Sequence, residues 1–248
     1  LAKVTPVWRK LVLVTALSLP AIAPATAETH FAAARNEMVR TIAAIARTVP
    51  AQSGGAVDAA VLAVMREVPR HELVPADVRN RAYADSPLPI GFNQTISQPY
   101  IVALMTSLAK PARDHVVLEV GTGSGYQAAV LSRLVAQVYS IEIVEPLARR
   151  AAARLEALGY GNITVRHGDG YKGWPEHAPF DAIVVTAAAD HVPAPLIDQL
   201  KPGGRMIIPV GASGVTQNLM LVEKDRDGAH TRRTVLPVRF VPLISGKP

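Results

Sequence analysis

Glycines and acidic residues recur where short apolar stretches of this chain end. VVLEVGTGSGYQ carries Glu119 within such a stretch and Gly121, Gly123 and Gly125 directly after it. Glycine admits positive φ and close backbone approach, so a turn of this kind at the carboxyl end of a strand is where an open α/β sheet takes a ligand. The spacing is G-x-G-x-G rather than the dinucleotide G-x-G-x-x-G, and no Lys-Ser/Thr follows, which excludes a P-loop. Glu142 closes the next stretch, twenty-one positions after Gly121, where a carboxylate can accept two hydrogen bonds from ribose hydroxyls. HGDGYKGW sets Asp169 and Gly170 at a third end, with Asp169 suited to the exocyclic amine of an adenine, and LKPGGRMII supplies a Pro-Gly-Gly turn into a further stretch. Upstream stands NQTISQP, Asn93 to Pro99, a short polar loop with Ile96 between Thr95 and Ser97. Taken alone, Ser97 two positions before Pro99 reads as a helix N-cap.

The elements around these residues follow from hydrophobic period. FAAARNEMVRTIAAIA and AVDAAVLAVMREV have helical spacing and are joined by the turn-forming PAQSGG. Residues 69–99 are irregular and rich in proline, and a helix is expected over 100–108. From Val116 apolar runs alternate with helical segments: VVLEV, AAVLSRLVA, VYSIEI, PLARRAAARLEALG, ITVRH, FDAIVVTA, PAPLIDQL, RMIIPV. That alternation predicts an α/β fold, a doubly wound and mostly parallel sheet covered on both faces. LMLVEKD, a charged turn at 225–228 and RTVLPVRF then predict a C-terminal antiparallel strand pair. The expected organisation is a signal peptide over 1–27 and one domain over 28–248, with a helical N-terminal extension and substrate loop to residue 110 and the α/β core from 111.

The chain has 248 residues and a formal net charge of +6. Lys3, Arg9 and Lys10 precede the first acid, Glu28, and from there 23 basic residues face 20 acidic ones without a basic run. No nucleic-acid partner is therefore expected. The basic start, the apolar stretch from Leu11 to Leu19, Pro20, and Ala25 and Ala27 in an A-x-A frame read as a secretory signal cleaved after Ala27. The stretch is shorter than the roughly 20 apolar residues of a membrane span. The expected location is periplasmic or secreted without stable membrane association; a start near Met38 would make it cytoplasmic. There is no cysteine, and the seven histidines include no pair at i, i+4. Disulfides, thiol catalysis and a helical metal site are accordingly not expected.

The glycine turn, the two acids at strand ends and the Pro-Gly-Gly turn together resemble the S-adenosylmethionine-dependent methyltransferases more than the dehydrogenases. Members of that class acting on amino nitrogens carry an Asn/Asp-Pro-Pro-aromatic motif after the fourth strand, where this chain has TAAAD. An oxygen acceptor remains, and a carboxylate suits best: with a pKa of about 4 it is already anionic near pH 7 and needs no general base. MREVPRHELVP, YADSPLPIGFNQTISQPYIVALM, LEVGTGSGYQAAVL, VRHGDGYKGWPEHAPFDAIVVTAAA, LKPGGRMIIPVG and LPVRFVPL, in this order, are similar to protein-L-isoaspartate O-methyltransferases over residues 36–243. The resemblance implies methylation of the stray α-carboxylate of isoaspartyl residues in damaged proteins; the ester then collapses to a succinimide that hydrolyses partly to aspartate. It implies that Ser97 orients the acceptor while Gln94 and Thr95 line the cofactor edge. S-adenosyl-L-methionine would further be held by Glu119, Gly121, Thr122, Gly123 and Gly125 of the turn, and by Glu142, Asp169 and Gly170. Asn93 stands where the family pattern has glycine. An O-methyltransferase of a small carboxylic acid and a non-catalytic isoaspartyl-binding module are the alternatives.

Overall fold

A computed structural model of the protein describes residues 1–2, 25–49 and 56–246. The turn expected over 50–55 and most of the expected export signal lie outside them. The described chain opens with helices α1 (Ala25–Thr48) and α2 (Ala59–Met65). A two-stranded hairpin, β1 (Leu88–Gly91) and β2 (Gln94–Ile96), leads into α3 (Pro99–Leu108). The main sheet then builds as β3 (Val116–Val120), α4 (Tyr126–Ser132), β4 (Gln137–Glu142), α5 (Glu145–Ala157) and β5 (Ile163–His167). It continues as β6 (Phe180–Val185), α6 (Ala194–Asp198), β7 (Leu200–Val210), β8 (Gln217–Lys224) and β9 (His230–Val238).

The spatial order is β5-β4-β3-β6-β7-β8-β9, parallel through β7, with β8 and β9 antiparallel. The chain leaves β3 outward through β4 and β5, then returns to β6 on the other side of β3. The crevice at such a reversal of strand order is where open α/β sheets bind ligands. Alternate strand residues serve opposite faces, as the period of two requires. Val117, Val138 and Val184 join one core with Met38 and Ile42 of α1, Leu104 of α3 and Leu131 of α4. Leu118, Val120, Ile141 and Ile183 join a second core with Leu196 of α6 and Trp174. Each of these apolar side chains, fully buried, contributes on the order of 1.5–3 kcal/mol.

Three local expectations are corrected. The segment 69–99 is not merely irregular, and NQTISQP is not a loop: residues 94–96 form β2, paired as Leu88↔Ile96, Pro89↔Thr95 and Gly91↔Gln94. The connecting residues Phe92 and Asn93 both have positive φ, 54° and 57°, the pattern of a two-residue type I′ turn. Such turns are signalled by Asn-Gly or Asp-Gly, so Phe-Asn concealed this one, and Phe92 stands 54% exposed at its tip. Ser97 is not the cap of α3. Gln98 is the N-cap residue, and Asp85 does the capping from outside, its Oδ1 accepting from Tyr100 N (2.8 Å) and its Oδ2 from Gln98 Nε2 (2.7 Å). Finally, α4 ends at Ser132 instead of reaching Ala136, because the backbone N–H groups of Ala136 and Gln137 are taken by His115 O as β4 begins.

Asparagine tolerates the left-handed region better than other residues with a Cβ, and glycine tolerates it freely. Asn93→Gly is therefore expected to stay within about 1 kcal/mol of the parent, whereas Asn93→Val loses about 1–2 kcal/mol. Urea denaturation of both variants tests this, and a valine variant as stable as the glycine one would contradict the turn geometry.

Candidate active site

The carboxyl ends of β3, β4 and β6, the turn after β5, the hairpin and the segment after β9 surround one cleft. Its base is Glu119. Strand alternation turns this residue toward α4, and its register partner on β4 is Ser140. Ser140 Oγ donates to Glu119 Oε2 at 2.5 Å and lies 2.5 Å from Thr122 Oγ1. Glu119 is 0% exposed, lines the cleft, and its Oε1 has no hydrogen-bond partner among the described residues. Burial pushes its carboxyl up to about 8, and the nearby Glu142 acts in the same direction, against the hydrogen bonds from Ser140 and the Ala128 backbone. A buried acid beside a cleft, with one oxygen unpaired among the described residues, fits the cationic part of a ligand.

Glu142 closes β4 as the sequence indicates, yet it is only 5% exposed. Its Oε2 accepts from Gly123 N (2.8 Å) and its Oε1 from Val144 N (2.9 Å), so the side chain also holds the glycine turn against β4. Each oxygen retains acceptor capacity for a ligand hydroxyl. Gly121, at φ 98°, packs where a Cβ would strike Thr186 Oγ1, and that hydroxyl donates to Gly121 O at 2.6 Å. Gly125 does different work from Gly121, Thr122 and Gly123, which line the cleft. It is the N-cap of α4 at φ 86°, and a Cβ there would meet Leu155 of α5 at 3.0 Å. Its smallness serves helix packing.

Asp169 is the N-cap of a short 3-10 turn, its Oδ1 accepting from Tyr171 N at 2.9 Å. The cleft is lined by its neighbour Gly170. Gln94, Thr95 and Ser97 come from the hairpin and line the cleft, as do Val241 to Ile244. A second lobe opens beside the first, lined by Pro87, Gln98, Ile101, Thr216, Arg239 and Phe240. Thr95, Ser97, Thr186 and Val241 line both lobes. The two lobes, with the open solvent at their mouths, enclose about 720 and 970 Å³ of non-atom space. Among the described residues no cluster of three or more His, Cys, Asp or Glu could hold a metal ion.

Sequence reasoning missed Ser140, Thr186 and the 241–244 segment. Thr186 ends an apolar stretch just as Glu142 does, so the same strand-end rule marks it. Ser140 becomes visible only once β3 and β4 are placed in register.

A doubly wound sheet with this glycine turn, strand-end acids and antiparallel C-terminal pair has the fold of the S-adenosylmethionine-dependent methyltransferases. Residues 48–248 match the model of one family in particular, protein-L-isoaspartate(D-aspartate) O-methyltransferase. A protein-L-isoaspartate O-methyltransferase 1 of Cupriavidus necator is 59% identical over 240 residues, 96% of this chain and 92% of its own length. A protein-L-isoaspartate O-methyltransferase 2 of Syntrophobacter fumaroxidans is 61% identical over 221 residues, 89% and 90% of the two chains. A solved protein-L-isoaspartate O-methyltransferase superposes with a TM-score of 0.73 at 30% identity, covering 84% of this chain and 65% of that one. A Plasmodium falciparum structure in complex with S-adenosyl-L-homocysteine shares the fold, with a TM-score of 0.69 at 23% identity over 86% of this chain and 99% of that one. The chain belongs to the protein-L-isoaspartate(D-aspartate) O-methyltransferase family.

Glu119 also gives the fold a pH dependence. Unfolded, it releases its proton near the ordinary 4.5; folded, it holds it to about 8. Its contribution to stability is thus present below about pH 4.5 and lost as pH rises through about 8. Urea unfolding at pH 5, 7 and 9 should show the parent weakening across this window and Glu119→Gln, which cannot ionise, weakening less. Parallel curves for the two proteins would contradict the buried-acid assignment.

Proposed function

We propose that this chain transfers a methyl group from S-adenosyl-L-methionine to the free α-carboxylate of L-isoaspartyl residues in proteins and peptides. The family membership supports the reaction, and one observation supports its place: Ser97 and Thr95 line both lobes at once. A donor in the lobe over the glycine turn and an acceptor in the lobe beside Arg239 and Phe240 would meet at Ser97.

The donor's lobe carries groups that fit it. Glu119, buried with one oxygen unpartnered among the described residues, lines this lobe and suits a cationic centre, and Glu142 has acceptor capacity for ribose hydroxyls. Gly121 and Gly123 bring backbone close to the ligand without a Cβ. When bound, S-adenosylmethionine supplies an electrophilic methyl group on a sulfonium, and the acceptor carboxylate is the nucleophile. Opposite charges vanish as they react, so a dry and well-aligned pocket accelerates the step more than a base would. Ser97 can supply that alignment. It is no helix cap, its backbone carbonyl is held by Arg70 (2.8 Å), and, as it lines both lobes, its hydroxyl would donate to one carboxylate oxygen of the acceptor.

Methyl incorporation into an isoaspartyl peptide, its aspartyl twin and a panel of small carboxylic acids tests the reading: only the first should be a good substrate. Ser97→Ala should lower turnover on that peptide about tenfold or more while leaving cofactor affinity within a few-fold. Glu142→Gln, milder than alanine at a residue this buried, should weaken cofactor binding roughly ten- to a hundredfold, the cost of about 1.5–3 kcal/mol for a charge-assisted hydrogen bond. Wild-type turnover in Ser97→Ala would remove that residue from the reaction, and methylation of small acids alone would overturn the substrate assignment.

A further inference from the structure

Arg70 is a fully buried cation, 0% exposed, in the 3-10 turn Arg70–Leu73, and it lines neither lobe of the cleft. Its contacts nevertheless reach both halves of the site. Nη2 donates to Ser97 O at 2.8 Å and Nε to Ala82 O at 2.7 Å. Its Cζ lies 4.7 Å from the centroid of the Tyr126 ring. Tyr126 follows Gly125 directly, opens α4 and lines the first lobe. From the other side Asp85 grips Gln98 and Tyr100, the residues just after Ser97. Burial lowers the Arg70 guanidinium to about 10, which leaves it charged at neutral pH.

Stability alone gives little reason for such a residue. Nη1 finds no acceptor among the described residues, and apolar side chains of similar volume often serve a core as well as or better than a buried charge. A planar guanidinium can, however, reach two carbonyls and an aromatic face at fixed angles, which no apolar side chain or ammonium does. We propose that Arg70 is a positioning residue for the methyl transfer, a brace that sets the Ser97 backbone against the start of α4 so that the acceptor and donor lobes keep one spacing. The brace acts through Ser97 and touches neither ligand. Displacing a reactant by as little as about 1 Å can slow an aligned reaction about a hundredfold.

The inference rests on the carboxyl-methyltransfer reading, and the test separates the two. Wild-type enzyme, Arg70→Lys, Ser97→Ala and the double variant are compared on an isoaspartyl peptide, with cofactor affinity measured by titration. Arg70→Lys keeps the charge but cannot hold all three contacts, so kcat should fall about ten- to a hundredfold while peptide KM and cofactor affinity stay within about threefold. Because Arg70 works through Ser97, Ser97→Ala should cost much less turnover in the Arg70→Lys background than in the wild type. Losses that simply multiply, an unchanged kcat, or a weakening of cofactor binding equal to the loss of turnover would each overturn the brace. Arg70→Gln, neutral and ending where the arginine Nε stands beside Ala82 O, is too short to reach the Ser97 carbonyl; it is the second variant should the lysine protein fail to fold, and the same split is expected of it. A wild-type protein inactive on the peptide would overturn the functional reading itself.

Discussion

Near the end of β3 the Glu119 carboxyl lies fully buried, one oxygen bonded to Ser140 and the other without a partner among the described residues. Glu119 has no basic residue among the causes of its shift, and taking an unpaired carboxylate out of water is so unfavourable that the group holds its proton instead. The surrounding site manages that constraint. Ser140, itself hydrogen-bonded to Thr122, donates to one oxygen of Glu119. Glu142, the second acid, accepts from two backbone N–H groups, Gly123 and Val144. The glycine turn folds over the pair because Glu142 accepts from Gly123 and Ile141 O accepts from Gly121 and Thr122.

The acceptor side is made by a different device. The hairpin carrying Gln94 and Thr95, and Ser97 just beyond it, lies outside the main sheet and is fixed by side chains from distant segments. Arg150 of α5 donates to Ile90 O, Arg70 to Ser97 O, and Asp85 receives Gln98 and Tyr100. Charge-assisted bonds to backbone position a short two-stranded element that could not stand alone. The main sheet holds the lobe over the glycine turn and these contacts hold the segments beside it, so the relative placement of the two lobes rests on a few polar contacts.

Much of this was legible in the sequence. Apolar runs of the right length, Gly121 and Gly123 after Val120 and acids at strand ends follow from backbone chemistry that is local, and so β3 to β9 and the residues at their carboxyl ends are legible directly. What escaped reading is non-local. The hairpin turn is hidden because Asn93 does the work usually given to glycine, and the N-cap reading of Ser97 fails because Gln98 is the N-cap residue and Asp85, thirteen positions before it, accepts from Gln98 and Tyr100. Asp169 shows the converse: it was assigned by its place after a strand, and the structure occupies one of its oxygens with a turn N–H. Arg70 drew no notice, since a lone arginine carries no motif and only burial reveals what it holds.

The claim that the cleft is built around a protonated acid awaiting a cation is tested most directly by calorimetry. S-adenosyl-L-methionine is titrated into the protein at pH 7 in two buffers of different ionisation enthalpy, and again with Glu119→Gln. A carboxyl held to about 8 and pushed down by a bound sulfonium and ammonium should release most of a proton on binding, so the apparent enthalpy shifts with the buffer for the parent and stays fixed for the variant. Equal enthalpies for the parent in both buffers, with tight binding, would contradict the account.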